Sequence, residues 1–130
     1  MQPDTHLNID STLCGSVVEL SRNRSRVRLD LIASMGADAY GLVHGGFVFG
    51  AADYAAMLAV NAPNVVLAGA EVKFLAPSRV GDFLVFDAAV QDPDARKIKV
   101  DVVGKDSNDT VCFEGTFTCV VPAKHVLEKR

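Results

Sequence analysis

At 130 residues, 49% of them apolar, the chain has the length of one ordinary domain and can bury a sizeable core. A net charge of -3 lacks the basic excess of a nucleic-acid surface. The three cysteines, Cys14, Cys112 and Cys119, are an odd number without metal-ligand spacing, which points to a reduced, cytoplasmic protein rather than a disulfide scaffold or a metal site.

Residues 1–14 form a polar N-terminal arm with scattered Leu7 and Ile9, expected to be loosely attached or to make a short helix. Met1-Gln2-Pro3-Asp4 is not a basic start followed by an apolar run, so no secretory leader is expected. The folded domain is expected over residues 15–122. It opens with Val17-Val18-Glu19-Leu20, a turn at Ser21 to Arg24, and a second run in which Val27, Leu29 and Leu31 alternate with Arg26, Arg28 and Asp30. This is a hairpin with one wet face. Its arginines read as a solvated strand face, with phosphate contact as the alternative.

A loop from Met35 to Gly41 leads into His44-Gly45-Gly46. From Phe47 to Val60 the residues are apolar or small on every side of a helical wheel, the pattern of an enclosed helix. Its glycine pair and its single charge, Asp53, argue against a membrane span. The helix should end near Asn61, which tolerates a left-handed cap, ahead of Pro63. Four strands follow, over Val65–Ala76, Phe83–Gln91, Lys97–Gly104 and Thr110–Val121, expected as consecutive antiparallel neighbours joined by short turns. In the last of them Val111, Phe113, Phe117, Cys119 and Val121 face one way. The tail, 123–130, is charged and expected to fray.

One flat sheet cannot cover a helix that is apolar all round. The sheet must curl around it, and a second subunit or sheet must close the remaining side. The expectation is an α+β fold with a wrapped central helix, in a homodimer that could pair into a dimer of dimers.

Val43-His44-Gly45-Gly46, then Ala52-Asp53-Tyr54-Ala55, then Glu71 to Pro77 with Gly81-Asp82, resemble the hotdog-fold acyl-CoA thioesterases of the phenylacetate-pathway and 4-hydroxybenzoyl-CoA type. The resemblance runs from the first hairpin to the last strand. It implies a thioester hydrolase with its site shared across the dimer, a glycine amide coming from one chain and the acid from the other. Coenzyme A is then part of the substrate, and no other cofactor is expected. In these thioesterases the position six before the histidine often carries Asn or Gln. Here it is Asp38, which only accepts hydrogen bonds when ionised and would assist or tune the reaction.

The same residues carry a physical reading of their own. Gly45 and Gly46 stand at a helix start with no side chains to shield their amides, where the positive end of the helix dipole suits a developing oxyanion. Close packing of helix on strand is the plainer reading of the pair. Asp53 lies eight residues beyond Gly45, roughly 12 Å along the axis. Attack requires contact near about 3 Å, so if both act on one substrate they belong to different subunits. Asp53 would be nucleophile or general base, unless backbone donors or His44 simply satisfy it. His44 would order the glycine turn. Phe47, Tyr54, Met57 and Phe74 would line an apolar or aromatic acyl group, and Pro77, Ser78 and Arg79 are assigned to substrate binding. A non-hydrolysing acyl-CoA sensor on the same fold is the alternative.

Overall fold

The computed structural model describes residues 1–128. Its elements are α1 (Ser11–Cys14), β1 (Ser16–Ser21), β2 (Arg24–Asp30), a 3-10 turn (Ala33–Met35), α2 (Gly45–Val60), β3 (Val66–Phe74), β4 (Phe83–Val90), β5 (Ile98–Asp106) and β6 (Val111–Val120). The strands form one antiparallel six-stranded sheet in the order β1-β2-β4-β5-β6-β3. The long helix α2 packs on one face, chiefly over β2, β4 and β5.

The helix keeps close to the sheet because its inner positions are small. Ala51, Ala52, Ala55 and Ala56 are fully buried, against sheet residues that include Val27, Leu29, Phe86, Val100 and Phe117. Buried Ser25 donates its hydroxyl to the Ala55 carbonyl at 2.6 Å, which offsets the cost of taking the polar group out of water. At Gly104 an added Cβ would lie 2.8 Å from the Phe86 ring; glycine is there to let two core aromatics, Phe86 and Phe113, meet edge to face. Asn61 ends the helix in the left-handed region at φ 51°, as its residue type suggests. Among the described residues no helix is long and apolar enough to cross a membrane.

The strand order differs from the consecutive neighbours expected. Only β4, β5 and β6 run that way; β3 lies at the far edge beside β6, and β4 enters next to β2. The crossing segment, 75–82, is held by backbone bonds in sequence: Leu75 to Cys112, Val43 to Ser78, Val80 to Gly41 and Gly81 to Leu31. These contacts lead the chain from the β6 edge, past the entry of α2, to the end of β2. In β6 a bulge opposite Gly104 and Lys105 turns Cys112 inward beside Phe113, and Val121 lies beyond the strand, 41% exposed. The inward row expected from Val111 to Val121 therefore holds only from Phe113 to Cys119.

The N-terminal arm is not loose. The Asp4 backbone N–H donates to the Asn61 side-chain oxygen at 2.7 Å, the Asn61 side-chain Nδ2 donates to the Gln2 carbonyl at 3.1 Å, and Thr5 is buried. One side chain at the end of α2 both ends the helix and holds the arm. Residues 123–128 of the tail are described, and Asn64 donates to the Pro122 and Ala123 carbonyls there; Lys129 and Arg130 lie outside the described residues.

Candidate active site

The loop before α2 is fixed by its backbone. His44 donates to the Met35 carbonyl at 2.9 Å, Ala37 to Leu42 at 2.7 Å, and Gly41 makes the sharp turn at φ 80°. Asp38 serves this loop: its Oδ1 accepts the Tyr40 and Leu42 amides at 2.9 and 3.2 Å. His44 is the N-cap residue, with φ -64° and ψ 128°, but its side chain caps nothing. The ring lies over Gly46, where a Cβ would meet it at 3.1 Å, and meets Phe47 edge-on. The Gly45 and Gly46 amides precede any intrahelical carbonyl partner, and neither donates to a backbone carbonyl elsewhere among the described residues.

Two turns further along, Asp53 is enclosed. Its Oδ1 is buried without a hydrogen-bond partner among the described residues, and burial pushes its carboxyl up from 3.8 to about 6. His44 does not satisfy it. Burial, with the Asp53 charge as a lesser cause, pushes the Cys119 thiol up to about 12, and Cys14 is raised by burial, Asp10 and Asp53 in that order. Both thiols are held protonated, a poor state for a nucleophile.

The two halves open into different clefts that share no residue. Asp53 and Met57 lie in a cleft of about 360 Å³ bounded by residues 63–67, Thr5, His6 and His125. Gly45, Val48, Phe74, Pro77 and Ser78 line another, also about 360 Å³. A larger recess, about 420 Å³, lies on the outer face around Glu71, Asp101 and Glu114, and holds neither half. Phe74 covers Gly45 at van der Waals distance while remaining 53% exposed. Of the other expected site residues, Asp38, His44, Gly46, Phe47, Tyr54 and Arg79 line neither cleft. Tyr54 is buried against His6, and the Arg79 backbone bridges to Leu42. Among the described residues no cluster of metal-ligating side chains forms. Sequence reasoning left out Thr5, His6 and His125, which carry no motif and reach the cleft only through the folding-back of the arm and tail.

A family model described as thioesterase superfamily matches residues 40–113, more than half of the chain and the whole span from Asp53 to the glycine pair. The chain belongs to the thioesterase superfamily. An uncharacterized Pyrococcus horikoshii protein is 44% identical, with a TM-score of 0.95 over 98% of both chains. An Aquifex aeolicus protein named methylthioribose-1-phosphate isomerase is 52% identical over 116 residues, which are 89% of this chain and 25% of that one. The chain spans 25% to 56% of the length of the curated relatives it matches. A Streptococcus mutans protein solved bound to acetyl CoA shares the fold, at 23% identity and a TM-score of 0.79 over 93% of this chain and 99% of that one. This thioesterase-superfamily domain thus has the hotdog architecture expected from its sequence, an antiparallel sheet with one long helix packed against it.

Proposed function

We propose that the domain is an acyl-CoA thioesterase whose sites form between two copies of the chain. The observation that carries this reading is the buried, unpartnered Asp53 Oδ1, on a residue whose cleft is separate from the one that Gly45 lines at the start of the same helix. A second copy would bring the Gly45 amide of one subunit to a thioester carbonyl whose carbon faces Asp53 of the partner subunit. The β3 edge supports such pairing, because it is unpaired in the single chain and ends in exposed Phe74 and Leu75.

In that arrangement the carbonyl oxygen accepts the Gly45 N–H at the positive end of α2, and the bond strengthens as charge develops on the oxygen. Asp53 either attacks the acyl carbon or takes the proton of an attacking water. The buried Met57 supplies apolar wall on the Asp53 side and Phe74 on the glycine side, which suits an apolar or aromatic acyl group. Asp38, occupied with two loop amides, keeps the helix entry in shape rather than meeting the thioester.

The test is a panel of acyl-CoA substrates with a thiol-release dye. Hydrolysis by the wild type, lost in Asp53→Ala while acyl-CoA binding is kept, is the expected result. Binding without turnover in the wild type would instead make the domain an acyl-CoA sensor.

A further inference from the structure

His6 carries no role in the reading above, yet it is built into the Asp53 cleft with unusual care. The arm that carries it is tied to the end of α2 through both functional groups of Asn61. Its backbone sits at φ 55°, a left-handed conformation uncommon among non-glycine residues, and its carbonyl accepts the Ile9 amide at 3.2 Å. Its Nδ1 lies 2.8 Å from the hydroxyl of Thr5, a polar residue only 4% exposed, and its ring packs on Tyr54 at 6.3 Å between centroids. One ring nitrogen is therefore engaged, Nε2 makes no hydrogen bond among the described residues, and the residue lines the cleft beside Asp53.

Resting on the thioesterase reading, we propose that His6 is the proton acceptor for the hydrolytic water, working on an acyl group first taken up by Asp53. A carboxylate oxygen of Asp53 bonds to the acyl carbon and the C–S bond breaks, releasing the CoA thiolate and leaving a mixed anhydride. A water oxygen then bonds to the acyl carbonyl carbon while its proton passes to His6 Nε2. The C–O bond to Asp53 breaks, restoring the carboxylate, and the proton on His6 neutralises the thiolate. For this the neutral ring carries its proton on Nδ1 and donates it to Thr5 Oγ1, leaving Nε2 as the acceptor.

The other histidine of the cleft has the opposite arrangement. His125 Nδ1 accepts the Leu127 amide at 3.0 Å, so its neutral ring holds the proton on Nε2 and has no free acceptor. His125 is also exposed, whereas His6 is half-buried, and burial lowers the His6 imidazole below its ordinary 6.5. At neutral pH His6 is in the accepting form. Among the described residues the titratable groups near the cleft are Asp53 and Tyr54 from α2, His125 from the tail, Cys119 from β6 and Cys14 from α1; residues 63–67 bring none.

The experiment compares the wild type, Asp53→Asn, His6→Asn and His6→Gly on one acyl-CoA substrate, by steady-state and stopped-flow thiol release. Asparagine and glycine both accept the positive φ of position 6. His6→Asn is expected to lose about 10²- to 10³-fold in kcat, with KM falling alongside so that kcat/KM stays within about threefold, because only the removal of the acyl group from Asp53 is slowed. It should also show a thiol burst equal to the number of sites, because the acyl group enters Asp53 and leaves slowly. In His6→Gly added imidazole should restore turnover. A His6→Asn enzyme with kcat within about threefold of the wild type, beside a dead Asp53→Asn enzyme, overturns this proposal and leaves the thioesterase reading standing. So does a kcat loss without a burst and without imidazole rescue. Absence of turnover in the wild type across the substrate panel overturns both.

Discussion

Replacing Asp53 by Asn should stabilise the protein, and only above a definite pH. The carboxyl is buried with one oxygen unpartnered, so the folded protein holds it up from 3.8 to about 6. Between those values the native state keeps a proton that the unfolded chain has released, and stability falls as pH rises. Below the window there is no penalty; above it the penalty is constant. At about 1.36 kcal/mol per pH unit the interval is worth about 3 kcal/mol, reduced to about 2 kcal/mol because solvent reaches part of the group. Urea unfolding of wild type and Asp53→Asn, at one protein concentration from pH 3.5 to 8, measures it. The two should coincide near pH 3.5 and separate by about 2 kcal/mol above pH 7, or about 6–8 °C in Tm for a chain of this length. A variant no more stable than wild type at pH 8, or a difference independent of pH, would refute the picture of a carboxylate held at the expense of stability.

The other substitutions test the supports of the site. Asp38→Asn retains an Oδ1 acceptor for the Tyr40 and Leu42 amides. Turnover should stay within about twofold and stability within about 0.5 kcal/mol, whereas Asp38→Ala should lose about 1 kcal/mol in urea unfolding. A large activity loss in Asp38→Asn would return Asp38 to the catalytic residues. Asn61→Gly keeps the left-handed helix end but deletes both ties to the arm. Limited proteolysis should then cut within residues 1–10 much faster than in the wild type, with global stability lowered by no more than about 2 kcal/mol.

The helix and its boundaries were legible because apolarity on every side, a glycine pair at the start and Asn61 before Pro63 act within a few residues. The first hairpin was legible for the same reason. The place of β3 was not, since alternation looks alike in an edge strand and in an inner one; the backbone bonds of 75–82 decide it. At the site, Asp53 could be picked out as the single charge in a greasy helix, and its distance from Gly45 follows from helical rise. Asp38 shows as a turn residue only when Tyr40 and Leu42 are seen to fold back on it. His6 had no signal at all. Its position depends on a bond between residues 57 apart in the chain, from Asp4 to Asn61.

The central claim is that each site draws its acid and its amide from different chains. Gly45→Pro is a suitable lesion on the amide side. Proline is tolerated at the first position of a helix, and His44 already has the extended backbone, φ -64° and ψ 128°, that a following proline requires. The substitution removes the N–H and leaves the helix. Gly45→Pro and Asp53→Asn should each be nearly inactive, losing about 10²-fold or more. Unfolded together and refolded in equal amounts, they form heterodimers in which one of the two sites has both groups intact, and about a quarter of wild-type activity should return. If the mixture stays as inactive as its components, the amide and the acid do not meet across two chains.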